Sequence, residues 1–435
     1  MNYIRQLFYD MRHQKMMTWV SIGGTAVSIF LVLVFFMYNS LPTVEVAPET
    51  HRQRIYGAMK LYVELTGEGK EGWNASGGLS YDAAQKLYGD LDGVEAISYV
   101  SSGSGSINVI VDGKPPVSSI AIGVDGNFWK IYNFNFITGR PFTEEECLNT
   151  TRPPIVLSEK MARHLFGIID VVDREVNIGG RPYVVVGVVE DVNPILRNTW
   201  ADVYMPLGEE WRKGWDNQPA YVFLGSLKVL LLYAEGTDPE NIKAQVRSRY
   251  ATLNSELEKL GGKTQYDNSP YDAETMGKNS WSKSPTVTNI AAKRWLVYAL
   301  LLLLPAINLS SMMRGRLQHR ISEIGVRRAY GARRRDIVGQ LLGENFVVTI
   351  VGGCIGLILS YVFMLFFSSA FFSMVDRWSS LAAKMATPTF SMLFSWQAFA
   401  IALGACFVLN VLTASVPAWR ASSLQPALAI SKNKS

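Results

Sequence analysis

"EIGVRRAYGARRRDI", residues 323–337, holds five arginines in fifteen residues: Arg327, Arg328, Arg333, Arg334 and Arg335. The apolar run "LLLLLPAINLSSMM" (300–313) precedes it and "VVTIVGGCIGLILSYVFMLFF" (347–367) follows it. About 20 mostly apolar residues suffice for a helix to cross about 30 Å of hydrocarbon. An arginine at the bilayer centre costs about 2.5–3.5 kcal/mol. The densest positive charge of the chain therefore belongs in a loop joining two membrane spans.

The totals lean the same way. Hydrophobic residues make up 48% of the 435, and charged residues 18%, below the roughly 25% of soluble domains. Four runs are long enough to span: 19–38, 295–313 (with Pro305), 346–375 and 394–417. The third has room to tilt or to continue beyond the lipid. Buried core helices are the alternative reading, and four such runs in one chain argue against it. A cleaved signal peptide is the alternative for the first run. Its apolar stretch exceeds the roughly 7–15 residues of such a leader, and "YNSLPTVEVAP" after it has no clear small-x-small site. Cys147, Cys354 and Cys406 share no motif spacing, so no disulfide framework is expected. His13, His51, His164 and His319 are scattered, with no pair at metal-ligand spacing.

Lysine and arginine near the span ends set the orientation. Arg5, Arg12 and Lys15 precede the first run, eight arginines lie between the second and third, and Arg420, Lys432 and Lys434 follow the fourth. All three pieces are expected in the cytoplasm, which four spans allow. Residues 42–294 carry 26 positive against 32 negative side chains, so the modest overall +5 hides a strong asymmetry. The expected layout is a cytoplasmic segment 1–16, transmembrane helix 17–41, an outer domain 42–293, transmembrane helix 294–313, cytoplasmic loop 314–344, transmembrane helix 345–375, outer loop 376–393, transmembrane helix 394–417 and cytoplasmic tail 418–435.

A topology anchor needs positive charge in any order, and this loop has more pattern than that. Leu317, Ile321 and Ile324 recur at helical spacing. Gly325 and Gly331 interrupt, and a glycine closes a short helix readily in the left-handed conformation. A new apolar face starts at Ile337, Val338, Leu341 and Leu342. The pattern predicts helix, short helix, turn and helix, with arginines outward, a shape that suits a partner's groove or acidic surface. A solvated anchor is the plain alternative. A nucleic-acid patch lacks interleaved aromatics and a recognisable fold.

"EIGVRRAYGARRRDIVGQLLGE" resembles the cytoplasmic loop of FtsX-like permeases, the MacB type of ABC transporter subunit. "ASVPAWRASSLQPALAI" (414–430) resembles the end of the same domain, with its proline after the last span and its Pro-Ala-x-Ala-Ile close. The resemblance covers roughly 290–430. It implies a coupling helix docking on a cytoplasmic ATPase, with Glu323, Ile324, Gly325, Arg327, Arg328 and Gly331 at the contact.

The outer segment reads as two βαβ-like passages. In the first, "RIYGAMKLYVEL" is a strand, "SYDAAQKLYGDL" a helix and "VEAISYVSS" a strand. In the second, "LKVLLLYAEG" is a strand and "DPENIKAQVRSRYATLNSELEKL" a helix. "REVNIGGRPYVVVGVVEDV" between them predicts a hairpin turning at Gly179-Gly180. The two halves can combine into one split, ferredoxin-like sheet with the middle inserted. "ITGRPFTEEE", "IVLSEKMARHLFG" and "GGRPYVVVGVVEDV" resemble the periplasmic core domain of MacB-type proteins. That likeness implies a porter-type base and an inserted lobe at about 105–222. The expected fold is thus four transmembrane helices plus a large extracytoplasmic α+β domain.

Little of this points to chemistry. "LGGKT" (260–264) invites a phosphate-loop reading, but the first glycine of that motif would fall at Leu257. A helix cap and turn is the plain alternative. Glu144-Glu145-Glu146 and Glu190-Asp191 read as solvated faces before catalytic carboxylates. "NAS" at Asn74 and "NTT" at Asn149 match glycosylation acceptors and carry little weight in a protein of bacterial type. Asn308 and Asn410 are polar groups within spans, suited to interhelical hydrogen bonding or to marking a pathway. Gly352, Gly356 and Ser360 form a small-xxx-small stripe expected to pack helices closely.

The resulting expectation is a permease subunit in the bacterial inner membrane that relays ATPase motion to a periplasmic domain, for export or handling of peptides, drugs or lipoproteins. It is expected to be no enzyme itself and to hold no metal or cofactor, with ATP and magnesium on a separate cytoplasmic ABC ATPase. A second permease copy or paralogue, a periplasmic adaptor or envelope partner and membrane lipid are the other expected partners; nucleic acid is not. The rival expectation is a non-transporting signalling or scaffold protein that binds in the periplasm and recruits a cytoplasmic partner.

Overall fold

The structure, a computed structural model, describes residues 15–40, 45–66, 74–103, 105–148, 151–278, 295–301, 333–375 and 399–408, with a few single positions besides. The chain divides into a helical unit (Met1–Leu41 with Thr286–Ser435) and an α+β unit (Pro42–Pro285). The helices that matter below are α1 (Lys15–Ser40), α2 (Tyr81–Tyr88), α3 (Glu159–Phe166), α4 (Pro239–Lys259) and α5 (Arg334–Val375). The strands are β1 (Ile55–Ala58), β2 (Leu61–Leu65), β3 (Asn74–Leu79), β4 (Val94–Ser101), β5 (Gly105–Ile110), β6 (Val117–Val124), β7 (Phe136–Gly139), β8 (Pro154–Ser158), β9 (Glu175–Ile178), β10 (Arg181–Val189), β11 (Val203–Pro206), β12 (Leu224–Gly225), β13 (Leu227–Tyr233), β14 (Gly262–Lys263) and β15 (Tyr271–Asp272).

The base of the α+β unit is the run β15–β1–β13–β4, antiparallel at each step. β1 and β4 are therefore parallel, joined through α2, with β13 between them. β13 and β15 are likewise parallel, joined through α4, with β1 between them. This is a pair of interleaved split βαβ units, the ferredoxin-like arrangement. Ser80 caps α2 and Asp238 caps α4, each accepting a backbone N–H of the first turn. Ile242, Val246, Tyr250, Leu253 and Leu257 form the buried stripe of α4 and join Val229, Leu231 and Tyr233 of β13 in one core. Leu230 and Leu232, of opposite parity, face a second core.

The sequence reading of "RIYGAMKLYVEL" as one strand is corrected here. The chain breaks at Met59-Lys60 and changes partners: β1 pairs β13 and β15, whereas β2 pairs β3 and β14. Strand propensity is high on both sides of the break, so composition gave no sign of it.

The inserted lobe is a closed ring. β5–β6, β6–β11, β11–β8, β8–β10, β10–β9 and β9–β5 are all paired, so six strands return to their start. One parity supplies one core: Val109, Ala121, Ile155 and Leu157, Val176 and Ile178, Tyr183 and Val185, Val203 and Met205, closed by Met161 and Leu165 of α3. The other parity (Ile122, Val124, Val156 and Tyr204) joins Ile55, Val100, Leu230 and Leu232 of the base in the second core. Lobe and base are thus cemented by shared apolar burial, although among the described residues their strands pair only at Val100↔Val124 between β4 and β6. The hairpin falls where expected, with Ile178↔Arg181 in register and Gly179 and Gly180 at φ 60 and 83. The lobe strands end at Pro206, and Ala220, Tyr221 and Phe223 already pack in the base core, so the chain returns to the base before residue 222.

Among the described residues of the helical unit, two stretches are long and apolar enough to cross a membrane: Thr18–Ser40 in α1 and Phe346–Phe367 in α5. The other two expected spans are described in part, helical at 295–301 and at Phe399–Val408. Ile29, Val32 and Leu33 of α1 pack with Phe399, Ala402 and Cys406, and Leu301 and Leu357 border that cluster. α5 begins at Arg334, so the expected loop boundary at 344 falls inside one continuous helix.

Candidate functional site

The helical unit is organised on the seam between α1 and α5. A Cβ on Gly352 would lie 2.9 Å from Thr25 Cβ and 3.2 Å from the Ile22 carbonyl. One on Gly356 would lie 2.7 Å from the Ala26 carbonyl and 3.1 Å from Phe30 N. These are backbone approaches that only glycine permits, the small-residue packing characteristic of membrane helices. Ser360, one turn further, is fully buried and donates to the Leu357 carbonyl at 2.8 Å. On α1, Thr25 donates to Ser21 O (2.9 Å) and Ser28 to Gly24 O (2.8 Å), so the buried hydroxyls are satisfied within their own helix. Phe30 and Phe363 meet edge to face with centroids 5.5 Å apart. The far side of α5 exposes Ile358, Leu359, Val362, Leu365, Phe366 and Phe367, an apolar face suited to lipid.

Of the arginine-rich stretch, Glu323, Ile324, Gly325, Arg327, Arg328 and Gly331 lie outside the described residues, as do Asn308, Asn410 and Asn149. Val326 and Tyr330 are described: Tyr330 N donates to Val326 O at 3.1 Å, one helical turn, and the Tyr330 side chain is 90% exposed. Arg333 and Arg335 are exposed at the start of α5.

In the α+β unit the residues that invite a catalytic reading have structural work. "LGGKT" ends α4: Gly261 takes φ 74, and Thr264 N donates to Asn254 Oδ1 at 2.7 Å. Glu146 closes a capping box with Thr143 and takes Arg140 in a two-pronged pair at 2.6 and 2.8 Å. That hydrogen bonding holds its carboxyl at about 2. Asp191 caps α3 through Lys160 N at 2.9 Å.

Several buried charged groups escaped the sequence reading. Asp125, straight after β6, accepts Ser98 Oγ (2.7 Å), Tyr99 N (2.8 Å) and Phe128 N (3.0 Å). Burial pushes its carboxyl up to about 7, against the pull of those donors. Glu49 is 1% exposed, pairs with Arg52 at 2.9 Å and accepts Thr199 Oγ1 at 2.9 Å. Lys228 on β13 donates to Asn198 Oδ1 at 3.0 Å, and burial lowers its ammonium to about 8. A lone lysine inside "LKVLLLY" was the one available signal. Because the Asp125 pKa is raised on folding, its contribution to stability is full below the ordinary carboxyl range and is lost as pH rises through about 7. The expected result is that the melting-temperature gap between wild type and Asp125→Asn shifts between pH 4 and pH 8, the wild type losing ground with rising pH. Parallel melting curves at every pH would contradict it.

A helical unit with membrane-length apolar helices and a large α+β domain between its first two apolar stretches fits a membrane permease of the ABC-transporter class. The chain belongs to the MacB/FtsX-type family: residues 16–249 match the MacB-like periplasmic core domain and residues 295–426 the FtsX-like permease C-terminal domain. Among named relatives, the macrolide export ATP-binding/permease protein MacB of Chromobacterium violaceum is 26% identical over 353 residues, covering 80% of this chain and 49% of that protein. The uncharacterized ABC transporter permease YknZ of Bacillus subtilis is 23% identical over 339 residues, covering 77% of this chain and 76% of that one. The chain thus spans about half the length of the Chromobacterium relative. The periplasmic region of MacB from Actinobacillus actinomycetemcomitans aligns with TM-score 0.34 at 15% identity, over 52% of this chain and 96% of that one.

Proposed function

We propose that the chain is the permease subunit of an ABC-type assembly, that it crosses the membrane four times with 314–344 in the cytoplasm, and that it relays the stroke of a separate ATPase to the periplasmic unit. One observation carries the reading. α5 runs unbroken for 42 residues from Arg334, inside the arginine-rich stretch, through the apolar span. At 1.5 Å per residue it is about 63 Å long, well over the roughly 30 Å of hydrocarbon. A push on the cytoplasmic stretch therefore enters a rigid rod whose glycine seam grips α1, the helix that leads in sequence to the periplasmic unit. Export or handling of peptides, drugs or lipoproteins, a second permease copy or paralogue, and a periplasmic adaptor belong to the same proposal. The exposed Trp19, Trp295 and Trp396 stand near the ends of the proposed spans, where indole prefers the membrane interface.

Purification of the full chain in mild detergent, with identification of the co-purifying proteins, tests this. The expected companion is an ABC ATPase chain in stoichiometric amount. A signalling enzyme in its place, with no ATPase, would favour the scaffold reading instead.

A further inference from the structure

Residues 46–54, near the start of the periplasmic unit, are fastened to the rest of it at a buried ionic point. Residues 46–54 hold little regular structure, one isolated bridge and a single 3-10 turn. Alone, such a segment would be soft. Its contacts make it otherwise. Glu49, almost wholly buried, pairs with the largely buried Arg52 and takes the Thr199 hydroxyl from the loop before β11. Lys228, close enough to feel the Glu49 charge, holds Asn198 of the same loop from strand β13. On the other side Asn133 N donates to the Pro48 carbonyl at 2.9 Å, and its side chain donates to Thr50 at 2.7 Å. Arg54 donates to Tyr233 O at 2.9 Å, the end of β13.

A buried carboxylate is costly unless it is paired and hydrogen-bonded, and removing one partner of such a pair is far more damaging than losing a surface ion pair. The segment is therefore held where a flexible linker would need no charge at all. Its anchorage reaches both parts of the unit at once: Thr199 and Asn133 in the lobe, β13 in the base. Because lobe and base share one apolar core, whatever moves the anchor moves the whole.

We propose that Glu49 is the anchor that holds residues 46–54 stiffly against both lobe and base of the periplasmic unit, with Arg52, Thr199 and Lys228 fixing it. The inference rests on the relay reading for its purpose, while the anchorage itself is measurable without any ATPase.

The test is hydrogen exchange on the full chain in lipid nanodiscs. Three amides report on the segment: position 49, donating to Val46 O; Arg54, donating to His51 O; and Asn133, donating to Pro48 O. In Glu49→Gln these are expected to exchange at least about tenfold faster than in wild type, while amides within β4 and β10 keep their rates. If Glu49→Gln unfolds the unit, the milder Thr199→Val decides, with the same three amides faster and the rest unchanged. Wild-type rates at all three positions in the folded variant would overturn the proposal. Failure of an ATPase to co-purify would count against the relay and leave the exchange result standing, so the two are separable.

Discussion

Gly356→Leu is expected to pull α1 away from α5 and to cost about 1–3 kcal/mol or more, the range for forcing extra side-chain volume into a packed site. The contacts a side chain would meet are the Ala26 carbonyl at 2.7 Å and Phe30 N at 3.1 Å. Backbone atoms cannot swing aside as a flexible side chain can, so relief requires moving a helix. Gly404→Leu is the matched control: it lies in another apolar helix, and a Cβ there meets nothing within 4 Å. It is expected to be neutral or slightly stabilising, since glycine is about 1 kcal/mol poorer than alanine in a helix. Cys406 supplies the readout. It is fully buried in the cluster with Ile29, Val32 and Leu33 of α1, whereas Cys354 is exposed and is removed by Cys354→Ala. Maleimide labelling of Cys406 in detergent should rise several-fold in Gly356→Leu and stay at background in Gly404→Leu. Equal labelling in both would mean that the seam does not hold the helices together.

The stripe Gly352, Gly356 and Ser360 could be picked out beforehand because helical packing leaves a local, periodic mark. The same holds for the Gly179-Gly180 hairpin and for α4, whose cap and apolar spacing lie within a few residues of each other. What the sequence did not display is non-local. Closure of the lobe depends on β6 finding β11 and on β5 finding β9, pairings across about 60–80 residues that no window contains. The Glu49–Thr199 contact joins positions 150 residues apart. Glu49 in "VEVAPET" looks like any solvated carboxylate until the fold surrounds it. Asp125 is similar, since its three donors come from β4 and from the helix that follows it. The break between β1 and β2 failed for another reason: both halves have strand composition, and only partner choice separates them.

The opposite limit is the arginine-rich stretch, where the sequence pattern carries the argument and, among the described residues, Val326 and Tyr330 form one exposed helical turn. An exposed tyrosine one turn from exposed aliphatic surface, amid arginines, has the composition of a docking face. A topology anchor requires only nearby positive charge, in any order. A docking face requires charge at particular contacts, and reversing it there opposes binding. Two variants separate these roles. Arg327→Glu with Arg328→Glu reverses charge inside the stretch; Arg333→Lys with Arg335→Lys keeps the charge at the start of α5. Residues 314–344 carry eight arginines, so six remain in the first variant and insertion should survive, as thiol labelling of the C-terminal tail would verify. The first variant is expected to lose ATPase association by at least about tenfold, since close interfacial charge pairs couple by about 1.5–7 kcal/mol where measured. The second is expected to stay within about twofold of wild type. Normal association in the reversed, correctly inserted variant would reduce the stretch to an anchor and leave the long helix α5 without a driver at its arginine-rich end.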